Sequence, residues 1–133
     1  MNGDRSKLAP SLAHMLETLN IEEMDTFHIG FMIAPRLNAA GRVDTAHSGL
    51  KYLITEDTAF HQQHFNHLDT LNTSRKKIQE EMIKAAMSQI DTSKYLLHAM
   101  GEEFHEGIVG IVSGRLTEKY YKPSLVLGIN KEE

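Results

Sequence analysis

Apolar positions in the first third of the chain recur at helical spacing. Leu12, Met15, Leu16 and Leu19 stand at i, i+3, i+4 and i+7, which predicts a helix with one apolar face beginning near Ser11. A second helix is predicted from about Asp25. Its apolar run, residues 27–34, should end at Pro35, because a proline disfavours helical geometry in the residue before it. A third helix follows Asp44 or Thr45, with Ala46, Leu50, Leu53 and Ile54 on its apolar side.

From there the period changes little for a long stretch. No glycine or proline occurs between Gly49 and Gly101, so nothing local interrupts a helix over about 56–90. Thr55 offers a cap, with Glu56 and Asp57 suited to the positive first turn. Leu68, Leu71, Ile78, Met82 and Ala85 follow a three-four spacing, and Arg75 takes one position of that stripe. At 1.5 Å per residue such a helix is roughly 50 Å long. That outruns one small core and reads as a link between two lobes. Beyond it the pattern changes to a short apolar run at 95–100, a helical stretch at 108–120 and a second run at 124–129 after Pro123. Strand, helix, strand in that order predicts parallel neighbours. A single β-α-β unit cannot cover both faces of its own sheet. The predicted fold class is α/β, mainly helical.

Composition narrows the setting. The 133 residues are 41% hydrophobic and 24% charged, ordinary globular usage. The absence of cysteine excludes disulfides and thiolate metal sites. No apolar stretch approaches the ~20 residues a membrane span needs, and residues 1–7 carry no apolar signal core. These features predict a cytoplasmic setting. The net charge of −4 gives no global attraction to nucleic acid, so any such contact must be local.

Two runs concentrate polar chemistry. The first is Pro35-Arg36-Leu37-Asn38-Ala39-Ala40-Gly41-Arg42. Arg36 and Arg42 each carry a planar fork of donors suited to phosphate oxygens. Asn38 can donate and accept at once. Pro35 and Gly41 read as conformational, Gly41 permitting a tight bend or a close approach of backbone. The structural alternative is a helix–loop–helix junction whose arginines cap carbonyls or pair with Asp25 and Asp44. The second run spans residues 101–116 and includes His105, Gly107, Gly110 and Arg115. His105 falls between the expected strand end and helix start, where free amides attract anions; it could equally cap the helix. Gly107 and Gly110 are read as a turn presenting amides, and Arg115 either reaches phosphate or bridges to Glu118. Elsewhere His61, His64 and His67 recur every three residues. Such a step drifts by about 60° around a helix of 3.6 residues per turn, which disfavours a metal site. Glu102, Glu103 and Glu106 read as solvent-exposed, as does the Arg75-Lys76-Lys77 cluster, a weak DNA contact being the alternative for the latter.

In this order, the two runs resemble the RecJ family of single-strand-specific 5′-to-3′ DNA exonucleases, within the DHH phosphoesterase superfamily. The family pattern Pro-Arg-Ile/Leu-Asn-Ala-Ala-Gly-Arg stands at 35–42. The pattern His-x-Gly-Val-Ile-Gly-Ile-Val-Ala-Ser/Gly-Arg-Leu stands at 105–116, with Ser113 in place of alanine. The resemblance covers the chain from about Leu8 onward. It implies the C-terminal edge of a DHH catalytic domain at 1–55, a connecting helix at 56–92 and a truncated start of the DHH-associated domain at 93–133. It further implies a metal-dependent exodeoxyribonuclease of DNA repair and recombination, using Mn²⁺ or Mg²⁺ on single-stranded DNA. The family's metal-binding aspartate and Asp-His-His motifs do not occur here. The expectation is therefore an internal fragment that binds no metal and is inactive alone, but grips DNA through Arg36, Asn38, Arg42, His105, Gly107 and Arg115. Two rivals stand beside it. Another DHH phosphoesterase would act on short oligonucleotides or cyclic dinucleotides, and activity on long strands separates that case. A non-catalytic nucleic-acid-binding relative would lack the metal motifs upstream.

Overall fold

The computed structural model describes residues 7–129, and the chain divides into two compact units, Met1–Thr73 and Ser74–Glu133. In the first unit, α1 (Pro10–Thr18) has its proline in the first turn, where a missing N–H is no loss. Asp25 caps the next helical stretch: its carboxylate accepts the His28 N–H at 2.9 Å. That backbone bond is the main cause holding the Asp25 carboxyl below its ordinary value.

Pro35 does not end the helix. Ala34 keeps helical geometry (φ −57°, ψ −38°), and the chain continues from a π-helical turn, His28–Ile33, into α2 (Ala34–Val43). The expectation of a break at 34 fails for a specific reason. In the π turn the Ala34 N–H bonds the Ile29 carbonyl five residues back. This wider winding makes room for a proline ring that would otherwise crowd the carbonyl four residues behind it. Residues 36–42 therefore lie on a helix, and Gly41 makes no bend. A Cβ there would meet only ordinary contact with Ala46, at 3.6 Å.

The third predicted helix is present as α3 (His47–Ile54), but the face it buries differs. Gly49 and Tyr52 point inward, while Leu50, Leu53 and Ile54 are exposed. Gly49 explains the rotation. A Cβ on it would lie 2.9 Å from the Leu37 carbonyl oxygen, so its lack of a side chain lets α3 lie backbone-close on α2. The long helix is α4 (Thr58–Gln89). Asp57, not Thr55, meets its start, accepting the Ala59 N–H at 2.9 Å. The core of this unit gathers Met15, Leu16, Ile21, Ile33, Ala40, Tyr52, Phe65 and Leu68.

The second unit holds the C-terminal part of α4, then β1 (Leu97–Gly101), α5 (Glu106–Tyr120) and β2 (Ser124–Gly128). The strands are parallel, registered from Leu97 opposite Ser124 to Gly101 opposite Gly128, as the strand–helix–strand order predicted. Leu97, Ala99 and Val126 form the buried face, and Ile108, Val112 and Leu116 of α5 are buried in the same unit. Met100, Leu125 and Leu127 leave the opposite face open. Residues 107–110 form the first turn of α5 rather than a separate turn. At Gly110, in mid-helix, a Cβ would meet open space. At the end of β2, by contrast, Gly128 is required. A Cβ there would collide with the Phe104 carbonyl oxygen. The whole is mainly helical with one small parallel sheet.

Candidate nucleic-acid interface

Arg36 is held by two hydrogen bonds. Its Nε–H donates to Asp69 Oδ1 at 2.8 Å and its Nη1 to the Met32 carbonyl at 2.7 Å. The guanidinium carbon lies 5.9 Å from the centre of the Phe65 ring, within cation–π range. The side chain is 17% exposed and that of Asp69 44%. The pairing is thus neither with Asp25 nor with Asp44. It reaches across 33 residues to α4, a contact that sequence spacing did not reveal. One signal was available. Asp69 directly follows Leu68, the first residue of the apolar stripe, so it stands at the edge of the buried face.

Asn38 is exposed on α2. Its amide has no hydrogen-bond partner among the described residues, so it does not tie a loop together. Arg42, partly buried, occupies the last turn of α2, where a cation suits the negative helix end. Arg36, Asn38 and Arg42 thus share one helix, preceded by Phe27 and Phe31, which stack at 5.0 Å and are both exposed.

In the second unit His105 is the N-cap of α5, and its Nδ1 accepts the Gly107 N–H at 3.1 Å. The capping alternative for this histidine is realised. Arg115 bridges to Glu118 at 3.3 Å, with the two side chains 61% and 71% exposed. Such a pair is held loosely and exchanges partners readily.

The histidines of α4 diverge as their spacing predicted. His61 is fully buried, whereas His67 is exposed and lies 3.5 Å from Asp44. His61 bonds the Thr55 carbonyl through Nε2 at 3.0 Å. Its ring lies 5.4 Å from that of His14, and His14 Nδ1 meets the Tyr52 hydroxyl at 3.1 Å. That hydroxyl donates to the Ser11 carbonyl at 2.7 Å. Burial pushes the Tyr52 phenol well above its ordinary value. This network joins α1, α3 and α4 behind the arginine helix, and residue spacing did not foretell it.

Among the described residues no three His, Cys, Asp or Glu side chains converge as a metal site would require. The described residues do not supply a ligand set for Mn²⁺ or Mg²⁺. No helix among these residues is long and apolar enough to cross a membrane.

No family model matches the chain. The single-stranded-DNA-specific exonuclease RecJ of Bacillus subtilis (strain 168) is 32% identical over 119 residues, covering 86% of this chain but 15% of that protein. The crystal structure of RecJ in complex with Mn²⁺ from Thermus thermophilus superposes with a TM-score of 0.85 at 30% identity. That match covers 92% of this chain and 19% of that one. The Mg²⁺ complex of RecJ from the same organism agrees equally, with a TM-score of 0.85 and 30% identity over 92% of this chain and 20% of its own. The chain therefore spans well under a quarter of the length of these relatives.

Proposed function

Because the chain is homologous to a segment of the single-stranded-DNA-specific exonuclease RecJ over most of its length, we propose that it is the substrate-gripping part of such an enzyme. In this reading residues 1–55 are the trailing edge of a DHH catalytic domain, 56–92 the connecting helix and 93–133 the start of the DHH-associated domain. The parent is a metal-dependent, cytoplasmic 5′-to-3′ exodeoxyribonuclease of repair and recombination, with its Mn²⁺ or Mg²⁺ ligands elsewhere in the protein. The chain alone hydrolyses nothing.

The observation that carries this reading is the state of Arg36. A guanidinium fixed at Nε and Nη1, yet still partly exposed, is built to present its remaining donors in one orientation. Phosphate oxygens are the ligands that a planar fork fits best. Asn38 and Arg42 extend the same helix along the strand, and His105, Gly107 and Arg115 contribute backbone contacts from the second unit. Pro35 serves by keeping the π turn and α2 in register, which sets where Arg36 emerges.

Fluorescence anisotropy with single-stranded DNA, with and without a 5′-phosphate and at two salt concentrations, tests this. Binding is expected to weaken with salt, and Arg36→Ala to weaken it about tenfold, as loss of a charge-assisted phosphate contact does. A preference for the 5′-phosphate would place end recognition in this chain. Arg36→Ala and Arg42→Ala variants that bind like the unaltered chain would sink the reading.

A further inference from the structure

We infer that Asp69 is a positioning residue for the DNA-gripping arginine: it turns Arg36 so that the donors left over face a phosphate. The inference rests on the proposed single-strand reading and adds to it a residue outside both polar runs. Guanidinium has five N–H donors. In Arg36 one, at Nε, goes to Asp69 Oδ1 and one, at Nη1, to the Met32 carbonyl. Nη2 has no hydrogen-bond partner among the described residues. The two bonds come from different elements, α4 and the π turn, and the Phe65 ring, also of α4, lies 5.9 Å from the guanidinium carbon. Rotation about the last side-chain bonds is therefore settled before any ligand arrives, and the ordering cost of phosphate binding falls.

A simpler view treats Asp69 as a neutralising charge that competes with phosphate. The two views give opposite signs. If Asp69 only competes, then Asp69→Ala and Asp69→Asn both remove a negative charge and both tighten DNA binding to a similar degree. If Asp69 positions, the asparagine keeps an oxygen to accept the Nε–H. Asp69→Asn then binds as tightly as the unaltered chain or more so. Asp69→Ala, despite losing the same charge, binds about fivefold more weakly.

The measurement is anisotropy of the full chain with a 5′-phosphorylated single strand, alongside Asp69→Ala, Asp69→Asn and Arg36→Ala. The Arg36 Nε–H resonance in ¹⁵N spectra without DNA is followed in parallel. Expected are weaker binding by Asp69→Ala but not by Asp69→Asn, and an Nε–H signal protected from exchange in the unaltered chain and in Asp69→Asn but not in Asp69→Ala. An Nε–H signal unchanged in Asp69→Ala, or tighter DNA binding by that variant, overturns the inference. Failure of the underlying reading looks different. In that case Arg36→Ala binds like the unaltered chain, or no form binds DNA, while the Nε–H signal still depends on Asp69.

Discussion

The two polar runs are built in contrasting ways. The arginine run of the first unit sits on a helix whose placement depends on distant parts of the chain. Gly49 brings α3 against the Leu37 carbonyl, Asp69 and Phe65 brace Arg36 from α4, and the buried Tyr52 hydroxyl ties α3 to α1. In the histidine run of the second unit, the two named polar side chains bond neighbours within a turn of themselves. His105 accepts from Gly107, two residues on, and Arg115 pairs with Glu118, three residues on. A side chain held by long-range packing has a fixed direction before it meets a ligand. One held by local contacts can reorient at little cost. Under the proposed reading, the first unit would be the preorganised grip and the second the adaptable one.

The contrast breaks most visibly in the core behind the arginines. Leu68 is fully buried beside Asp69, and Leu68→Ala should lower stability by about 2–5 kcal/mol, through lost transfer energy and the cavity left behind. Urea denaturation followed by circular dichroism measures this. A loss below about 1 kcal/mol would mean that the first unit is not a tightly packed body.

Tyr52→Phe probes the same frame through polarity. It leaves the Ser11 carbonyl and the His14 ring without their shared partner, at an expected cost of about 1–3 kcal/mol. The variant also carries a pH signature. Burial raises the folded-state phenol above its ordinary value, so the folded form keeps its proton while the unfolded form loses it. The contribution is intact below the ordinary phenol value, near pH 10, and declines as pH climbs beyond it. Denaturation midpoints above that pH should therefore fall for the unaltered chain more steeply than for Tyr52→Phe. Parallel slopes would contradict the burial of this hydroxyl.

His105→Ala addresses the second unit. It removes the side-chain acceptor for the Gly107 N–H, and loss of an N-cap of this kind costs about 1 kcal/mol. Asparagine at the same position can accept the same bond and should restore most of the stability. If His105 also touches DNA, His105→Asn will restore stability without restoring binding, which anisotropy on the folded variant reads directly.

Local rules made much of this legible. The strand–helix–strand unit of the second half and the His105 cap follow from local patterns, and the parallel pairing follows from the order of those elements. The 32-residue α4 follows from the absence of breakers. What escaped depends on distance or on an unusual turn. Pro35 looked like a terminator because the π winding before it is not encoded by any simple pattern. Leu50, Leu53 and Ile54 looked like a buried face but are exposed, because the backbone approach at Gly49 outweighs the apolar stripe. Asp69 carried only a weak mark, its place beside Leu68 at the edge of the apolar stripe, since a carboxylate on a long helix ordinarily faces water. The arginines themselves were legible as candidates; what holds them was not.

The smallest expected effect is the sharpest test of the comparison. Arg115→Ala removes a pair whose members are 61% and 71% exposed, and stability should change by less than about 0.5 kcal/mol. Its effect on DNA binding then isolates the adaptable grip from any structural loss. Under the proposed reading Arg115→Ala weakens single-strand binding about two- to threefold and lowers the salt dependence by roughly one phosphate contact. Arg36→Ala lowers it by a similar slope but with a larger loss of affinity, because its donors were oriented in advance. Equal losses from the two arginines would remove the distinction between a fixed and an adaptable grip, since an unbraced side chain has more freedom to give up on binding.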